Sequence, residues 1–369
     1  MMRRALDLAE RGRGRTSPNP VVGAVIVRDG RVVGEGFHRR YGGPHAEVNA
    51  LAEAGEAARG GTLYVTLEPC CVWGNTPPCT DAIRSSGIAR VVVPMEDPNP
   101  HVSGRGIAEL RRCGVSVEVG LLAGEAAAAN APYLKFRATG LPLITLKMAL
   151  SLDGRTAAPE GAPRWLSCDA SRERVHAMRA ASDCVMIGVG TVLADDPRLT
   201  DRRPAAGERQ PARLVLDSHL RTPPNCALVA ETGAAPTIVA CGEDAAAERR
   251  RELEARGAAV WPCRSETGRV DLRDVLRRAA AAGMISVLCE GGPTLATSLL
   301  SDNIADRVAF FVAPIVIGDE GAAALGRLGR PWWTGERALV DAAWSVVGDD
   351  VLLEANVSSA WRPSCSQGS

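Results

Sequence analysis

The strongest candidate chemistry in the sequence lies in one histidine, one glutamate and two cysteines of the first hundred residues. His45 and Glu47 begin a predicted helix, Cys70 follows a predicted strand, and Cys79 begins the next predicted helix. One imidazole and two thiolates suit a tetrahedral zinc ion and leave its fourth position open to water, as in catalytic sites. The sequence therefore predicts a catalytic zinc site with His45, Cys70 and Cys79 as ligands.

Glu47 lies two positions from the histidine ligand, where a carboxylate is not needed to hold the metal. It can instead move protons between an activated water and a leaving group. An H-x-E pattern followed by Pro-Cys and a second Cys is typical of zinc-dependent nucleobase deaminases. Their short form places two residues between the cysteines, whereas residues 71–78 separate them in this chain. The alternative is structural: a histidine that begins a helix and two thiols buried as small hydrophobic side chains.

The elements predicted around these residues alternate between strands and helices. Asp29-Gly30 between two apolar runs predicts a β-hairpin, and the alternation continues to the segment 138–142, which predicts a junction. Beyond the junction, apolar strands alternate with helices and predict a mostly parallel sheet, closed by antiparallel strands around Gly348. We therefore expect an α/β protein with two domains, 1–140 and 141–356, and a flexible serine-rich tail at 357–369.

Composition excludes several classes of protein. Lys+Arg and Asp+Glu number 43 each, and this zero net charge argues against a nucleic-acid-binding protein. No apolar run reaches about 18 residues, and acidic residues interrupt the N-terminus, so we expect neither a membrane partner nor a signal peptide, and a cytoplasmic location. The 11 cysteines, an odd number, do not indicate a disulfide framework. Lys147 is one of only two lysines in an arginine-rich chain, which suggests that a compact ammonium is needed there.

Two glycine turns in the second half precede predicted helices. They lie in the strings 188–197 and 290–295, and backbone N–H groups at such a turn suit a phosphate. Neither string is a G-x-G-x-x-G fingerprint, so a Rossmann domain is not indicated. Each turn by itself is equally compatible with an ordinary loop.

Six strings in the first domain identify a family. They are Ser17-Pro18-Asn19-Pro20-Val21-Val22-Gly23, Pro44-His45-Ala46-Glu47-Val48, Thr66-Leu67-Glu68-Pro69-Cys70, Thr76-Pro77-Pro78-Cys79, Asp97-Pro98-Asn99-Pro100 and Gly104-Arg105-Gly106. With the second-half strings, they make the chain resemble the bifunctional deaminase-reductases of riboflavin biosynthesis over nearly all of residues 2–356. The family shows the same eight-residue gap between its cysteines.

For the first domain, the resemblance implies a cytidine-deaminase-like fold, with zinc on His45, Cys70 and Cys79 and with Glu47 as the catalytic proton shuttle. The implied reaction is hydrolytic deamination of 2,5-diamino-6-ribosylamino-4(3H)-pyrimidinone 5′-phosphate. Asn19 would hydrogen-bond the pyrimidine. From the residues alone, Asn19 is equally well explained as a turn residue before Pro20.

For the second domain, the resemblance implies a dihydrofolate-reductase-like fold that uses NADPH to reduce the ribosyl side chain, giving 5-amino-6-(5-phosphoribitylamino)uracil. The residues that would contact NADPH are Ala149, Trp165, Thr191, Asp195, Ser218, Gly292, Pro293, Thr294, Leu295, Ala296, Thr297 and Ser298. The residues that would contact the substrate are Lys147, Arg179, Leu199, Arg202 and Glu290. A homo-oligomer is also implied.

The chain departs from the family pattern at two places. Cys71-Val72-Trp73-Gly74-Asn75 replaces a string of Ser, His, an aromatic residue, Gly and a basic residue, and Pro163 replaces a substrate-binding serine. These departures favour an alternative, a zinc deaminase for a different nucleobase or nucleotide with an altered or idle reductase half. A non-catalytic binding protein is a third hypothesis, against which Glu47 argues, since a structural zinc site does not need it.

Overall fold

The computed structural model describes residues 1–157, 166–203, 209–266, 268–329, 339–358 and 361–362. The chain divides between Gly140 and Leu141 into two compact units, Met1–Gly140 and Leu141–Trp361. Each unit has its own sheet with helices packed on it, so the predicted α/β class is confirmed.

The first unit is built on a five-stranded sheet in the order β2-β1-β3-β4-β5. Its strands are β1 (Gly23–Arg28), β2 (Arg31–Phe37), β3 (Thr62–Val65), β4 (Arg90–Val93) and β5 (Ser116–Val119). The predicted hairpin at Asp29-Gly30 is confirmed: both residues have positive φ, 51° and 75°, and β1 pairs antiparallel with β2. Strands β3, β4 and β5 are mutually parallel.

The helices of the first unit cover this sheet. They are α1 (Met2–Glu10), α2 (Ala46–Ala54), the 3₁₀ helix η1 (Gly55–Ala58), α3 (Cys79–Ser86), α4 (Arg105–Arg112), α5 (Ala123–Ala129) and α6 (Ala131–Thr139). The core between sheet and helices is apolar and contains the fully buried side chains of Ile26, Leu63 and Ile83.

Helix α2 lies unusually close to strand β2, and two glycines make this possible. A Cβ atom on Gly36 would lie 2.4 Å from the carbonyl oxygen of Ala46 and 2.5 Å from the amide nitrogen of Ala50. A Cβ atom on Gly34 would lie 2.3 Å from the carbonyl oxygen of Ala50. The first turn of α2, which carries Glu47, is therefore held directly against the sheet.

The second unit is built on a nine-stranded sheet in the order β11-β10-β9-β8-β14-β6-β15-β18-β17. The strands of this unit are β6 (Leu143–Ser151), β7 (Arg155–Ala157), β8 (Cys184–Gly188), β9 (Ala212–Leu216), β10 (Thr237–Gly242), β11 (Ala259–Cys263), β12 (Ser265–Glu266), β13 (Arg269–Val270), β14 (Ser286–Cys289), β15 (Arg307–Ala313), β16 (Ala322–Ala323), β17 (Leu339–Val347) and β18 (Asp350–Val357). Strands β11 to β15 along the sheet order are parallel, and β18 and β17 are antiparallel, as predicted.

The helices of the second unit connect the parallel strands. They are α7 (Asp169–Ala181), α8 (Val189–Asp195), α9 (Ala227–Ala230), α10 (Ala247–Ala255), α11 (Leu272–Ala281) and α12 (Pro293–Ser301). The carboxyl ends of β6, β8 and β14 lie at one edge of the sheet because these strands are parallel neighbours. Among the helices that the structure describes, none combines the length and hydrophobicity needed to span a bilayer.

The close approach of α2 predicts the effect of a single added methyl group. We expect Gly36→Ala to lower the free energy of unfolding by about 1–3 kcal/mol, because the Cβ atom must displace backbone atoms rather than a flexible side chain. Urea unfolding followed by circular dichroism measures the difference. Gly124→Ala is the matched control, since Gly124 lies in α5 and its Cβ atom would meet nothing within 4 Å. Equal stability of Gly36→Ala and wild type would contradict the packing described here.

Candidate active sites

Three predicted metal ligands of the first unit come together in space. His45 is the N-cap residue of α2, Cys70 follows β3, and Cys79 is the buried first residue of α3. The Nδ1 atom of His45 lies 3.5 Å from the Sγ atom of Cys70 and 3.3 Å from the Sγ atom of Cys79. In the described part of the chain, this is the one cluster of three or more His, Cys, Asp or Glu side chains whose ligand atoms converge.

The geometry of these three side chains fits zinc. A tetrahedral ion with the usual Zn–S and Zn–N bond lengths separates neighbouring nitrogen and sulfur ligands by about 3.6 Å. The Nε2 atom of His45 lies 3.4 Å from the Thr76 hydroxyl, so the other ring nitrogen faces the sulfurs. A hydrogen bond from Cys79, together with His45, lowers the pKa of Cys70, which favours the thiolate that binds metal.

Glu47 lies beside this centre without being one of the converging ligands. Its side chain is only 3% exposed, in the first turn of α2. Burial raises its pKa to about 7; the charge of Cys70 adds to this rise, and His45 opposes it. A carboxyl group that gains and loses a proton near neutral pH is suited to general acid–base catalysis.

Glu68, which belongs to the Glu68-Pro69-Cys70 string, has a structural role. Its buried carboxylate accepts hydrogen bonds from the backbone N–H groups of Asp97, Gly104 and Ile107, at 2.9–3.1 Å. These bonds hold the loop that carries Cys70 against the start of α4.

Asn19 is half-buried in the segment before β1, and its Nδ2 atom lies 3.4 Å from the Nε2 atom of His38. Sequence analysis did not single out His38, which immediately follows β2 and packs edge-on against the ring of His45 at 5.3 Å between centroids. A second histidine seven positions before a metal ligand, at the end of a strand, is the signal that could have indicated it. Burial lowers the pKa of His38, so its neutral form is favoured.

In the second unit, three residues predicted to contact the substrate form a buried charge cluster. Arg179 donates two hydrogen bonds to Glu290, at 2.6 and 3.0 Å, and the Nζ atom of Lys147 lies 3.8 Å from the same carboxylate. Burial alone would raise the pKa of Glu290, but the charges of Arg179 and Lys147 outweigh it and hold that pKa below its usual value. The cluster sits on β6, on α7 and just after β14, where the parallel strands end.

Arg202 and Leu199, also predicted to contact the substrate, are not among the ion-paired residues of this cluster. Arg202 is largely exposed; its partial burial lowers its pKa, and the positive charge of Arg179 adds to this effect. The side chain of Leu199 is 3% exposed and belongs to an apolar core. Leu199 has a φ of 56°, in the left-handed region that residues other than glycine rarely adopt.

Among the residues predicted to contact NADPH, Thr191 and Gly292 are neighbours in the structure. Thr191, in α8, lies beside Gly292, the N-cap of α12: a Cβ atom on Gly292 would be 3.7 Å from the Thr191 hydroxyl. The predicted turn 292–298 therefore forms the N-terminus of α12, next to α8. Ala149 lies near the end of β6 and Asp195 is the exposed last residue of α8.

Ser218 lies two residues after Leu216, which pairs with Gly188, the N-cap of α8. It follows β9, and its hydroxyl accepts a hydrogen bond from the backbone N–H of Val270. Trp165 and Pro163 lie outside the described residues.

The metal centre predicts how cysteine variants behave. Purified protein should hold about one zinc ion per chain, and Cys70→Ser or Cys79→Ser should lose it, because each removes one of three protein ligands. Cys71→Ser is the matched control: this neighbouring thiol is not among the converging atoms. Inductively coupled plasma mass spectrometry measures the zinc content per chain of each protein. A Cys79→Ser protein with full zinc content would exclude this ligand set.

Each of the two units matches a known protein family. The family model described as "Cytidine and deoxycytidylate deaminase zinc-binding region" matches residues 1–95, and that described as "RibD C-terminal domain" matches residues 142–353. Two relatives are named "Riboflavin biosynthesis protein RibD". The Aquifex aeolicus protein is 42% identical over 328 residues, 89% of either chain, and the Escherichia coli protein is 43% identical over 330 residues, 86% of this chain and 88% of that one.

Solved structures agree along nearly the whole chain. Acinetobacter baumannii RibD has a TM-score of 0.86 and 35% identity, and covers 96% of this chain and 97% of its own. The diaminohydroxyphosphoribosylaminopyrimidine deaminase/5-amino-6-(5-phosphoribosylamino)uracil reductase of Thermotoga maritima has a TM-score of 0.83, with the same identity and coverage. The predicted combination of a deaminase-like and a reductase domain is confirmed. The chain therefore belongs to the family of bifunctional deaminase-reductases of riboflavin biosynthesis.

Proposed function

We propose that the first unit hydrolytically deaminates 2,5-diamino-6-ribosylamino-4(3H)-pyrimidinone 5′-phosphate and that the second unit reduces the ribosyl group of the product with NADPH. The observation that carries the proposal is the convergence of His45, Cys70 and Cys79 beside the buried Glu47. The buried cluster around Glu290 supports the second activity.

In the deaminase site, some residues bind the metal or the substrate and Glu47 transfers protons. Zinc, when bound by His45, Cys70 and Cys79, supplies Lewis-acid activation of water. Glu47 takes the proton from the attacking water and returns it to the departing amino group, so that ammonia leaves. Asn19 holds the pyrimidine through its amide group.

In the reductase site, this chain's residues supply charge and position. NADPH, when bound near Thr191 and the N-terminus of α12, supplies a hydride. Arg179, Lys147 and Arg202 lie around Glu290. The nearby Asp201 carboxylate is itself paired with Arg203. Guanidinium and ammonium groups of this kind suit a phosphorylated substrate. Glu290 also fixes Arg179 and Lys147 relative to each other.

Incubation of the protein with the diaminopyrimidinone phosphate, followed by mass spectrometry, tests the whole proposal. Without NADPH, the product should have exchanged an amino group for oxygen. With NADPH, it should also have gained two hydrogen atoms. An unchanged substrate in both reactions would overturn the proposed function.

Glu47→Gln tests the proton shuttle. The amide keeps the size of the side chain but cannot carry the proton, so deamination should fall by about 10²- to 10⁴-fold. Zinc content should stay at the wild-type level, since Glu47 is not a ligand. A variant that keeps the full rate of ammonia release would show that another group moves the proton.

Lys147→Met tests the second site. Loss of the ammonium leaves Glu290 and Arg179 without their third partner, and reduction of the deaminated intermediate should be nearly abolished. Ammonia release by the same protein is the internal control and should continue, because Lys147 belongs to the other compact unit. Loss of both activities in a folded variant would contradict the assignment of separate sites.

A second candidate function is favoured by the loop between the two cysteine ligands. Residues 71–78 contain no Lys, Arg or His, and Trp73 is 76% exposed. A deaminase site with this loop lacks a local charge partner for a phosphate, which favours an unphosphorylated nucleoside or base as substrate. The same assay decides: faster deamination of the nucleoside than of its phosphate would support the second candidate.

We also propose that the protein is a homo-oligomer that pairs through the sheet edge at β17. This edge strand exposes Trp344 (64%) and Val346 (78%), two apolar side chains of a kind that monomeric proteins rarely leave on an edge. Light scattering should show a dimer or larger assembly that Trp344→Lys weakens; an unchanged mass would point to a different interface.

The cytoplasmic location and the absence of nucleic-acid and membrane partners stay predictions.

A further inference from the structure

His38 lies buried between two parts of the deaminase site. Its side chain is enclosed, at 2% exposure, and its two ring nitrogens face different neighbours. The Nδ1 atom lies 3.1 Å from the carbonyl oxygen of Pro44, the residue before the ligand His45. The Nε2 atom lies 3.4 Å from the amide Nδ2 atom of Asn19.

These two contacts determine where the ring proton sits. A carbonyl oxygen can only accept a hydrogen bond, so Nδ1 must carry the proton and donate it to Pro44. In a neutral imidazole the other nitrogen is then an acceptor, and Asn19 must turn its NH₂ group towards it. The amide oxygen of Asn19 is thereby directed away from His38.

The backbone next to Asn19 is fixed independently. The side chain of Asn130 accepts a hydrogen bond from the N–H of Val21 at 2.9 Å and donates one to the carbonyl oxygen of Val21 at 3.0 Å. The N–H of Asn19 itself donates to the carbonyl oxygen of Thr16 at 2.8 Å, so the orientation of the Asn19 amide depends on rotation within its side chain. The contact with His38 restricts that rotation.

We propose that His38 is a positioning residue of the deaminase, which orients the Asn19 amide so that its oxygen accepts a hydrogen bond from an N–H group of the pyrimidine. This inference rests on the proposed function, because it concerns the substrate of the same site. It predicts a preference for bases that present a donor, rather than an acceptor, to Asn19.

Two substitutions separate the two contacts of His38. His38→Gln can place its amide oxygen near the position of Nε2 and so keep an acceptor for Asn19. His38→Asn can place its amide nitrogen near Nδ1, and so keeps the donor to Pro44 but loses the acceptor. We expect His38→Asn to lower kcat/KM for deamination about tenfold, the effect of about 1.4 kcal/mol. We expect His38→Gln to recover most of this loss.

A double-mutant cycle with Asn19→Ala tests whether His38 acts through Asn19. If it does, adding His38→Asn to Asn19→Ala should cost no further activity, because the group being oriented is already gone. Zinc content and reduction of the deaminated intermediate should match the wild type in every variant. Additive losses, or equal losses in both His38 variants together with lost zinc, would show that His38 is merely structural and overturn the proposal.

A measurement without turnover keeps this inference separate from the proposed function. In the ¹⁵N–¹H spectrum of the zinc-loaded protein, the Asn19 NH₂ proton donated to His38 should be shifted downfield, which widens the separation between the two NH₂ signals. This separation should decrease in His38→Asn but not in His38→Gln. If the wild type fails to deaminate the diaminopyrimidinone, the proposed function fails, whereas this spectrum still supports or refutes the orientation of Asn19.

Discussion

The deaminase site depends on how closely helix α2 can approach strand β2. Gly34 and Gly36 lie where any side chain would collide with backbone atoms of α2. This contact places the N-cap His45 and the first-turn Glu47 over the end of the sheet, where the loop after β3 brings Cys70 and the start of α3 brings Cys79. His45 and Cys79 are therefore positioned by helix ends, and the loop that carries Cys70 is held by the buried Glu68, as a preorganised centre requires.

Three buried glutamates show how surroundings decide the role of one residue type. The Glu68 carboxylate accepts hydrogen bonds from the backbone N–H groups of three residues and thereby holds a loop in place. Glu290 faces Arg179 and Lys147, so its charged form is favoured. At Glu47 burial outweighs the opposing effects of His45 and Cys79, and the pKa rises to about 7. Glu47 is therefore held where it can exchange a proton readily near neutral pH.

Sequence analysis predicted the hairpin and the α/β class, and it grouped His45, Cys70 and Cys79, which converge in the structure. These features depend on patterns such as Asp29-Gly30 and the H-x-E and Pro-Cys strings. Sequence analysis missed α10 and β11. The α10 sequence, Ala247–Ala255, is polar on nearly all sides and buries only Leu253, so no apolar period marks it. It also missed His38, whose importance comes from tertiary contacts with Asn19 and Pro44 that no short pattern encodes.

The two sites must recognise one phosphorylated molecule by different means. In the second unit, Arg179 and Lys147 face Glu290, and under the proposed function these basic groups would hold the phosphate by charge. The loop 71–78 of the deaminase site offers no positive charge. Other basic side chains, Arg39 and Arg40, follow His38 directly and lie outside that loop. Hydrogen-bond orientation discriminates between bases, whereas a phosphate contact treats every nucleotide alike. Under the role proposed for Asn19, its contact with the base, rather than a charge in the loop 71–78, would therefore set which pyrimidine this site accepts.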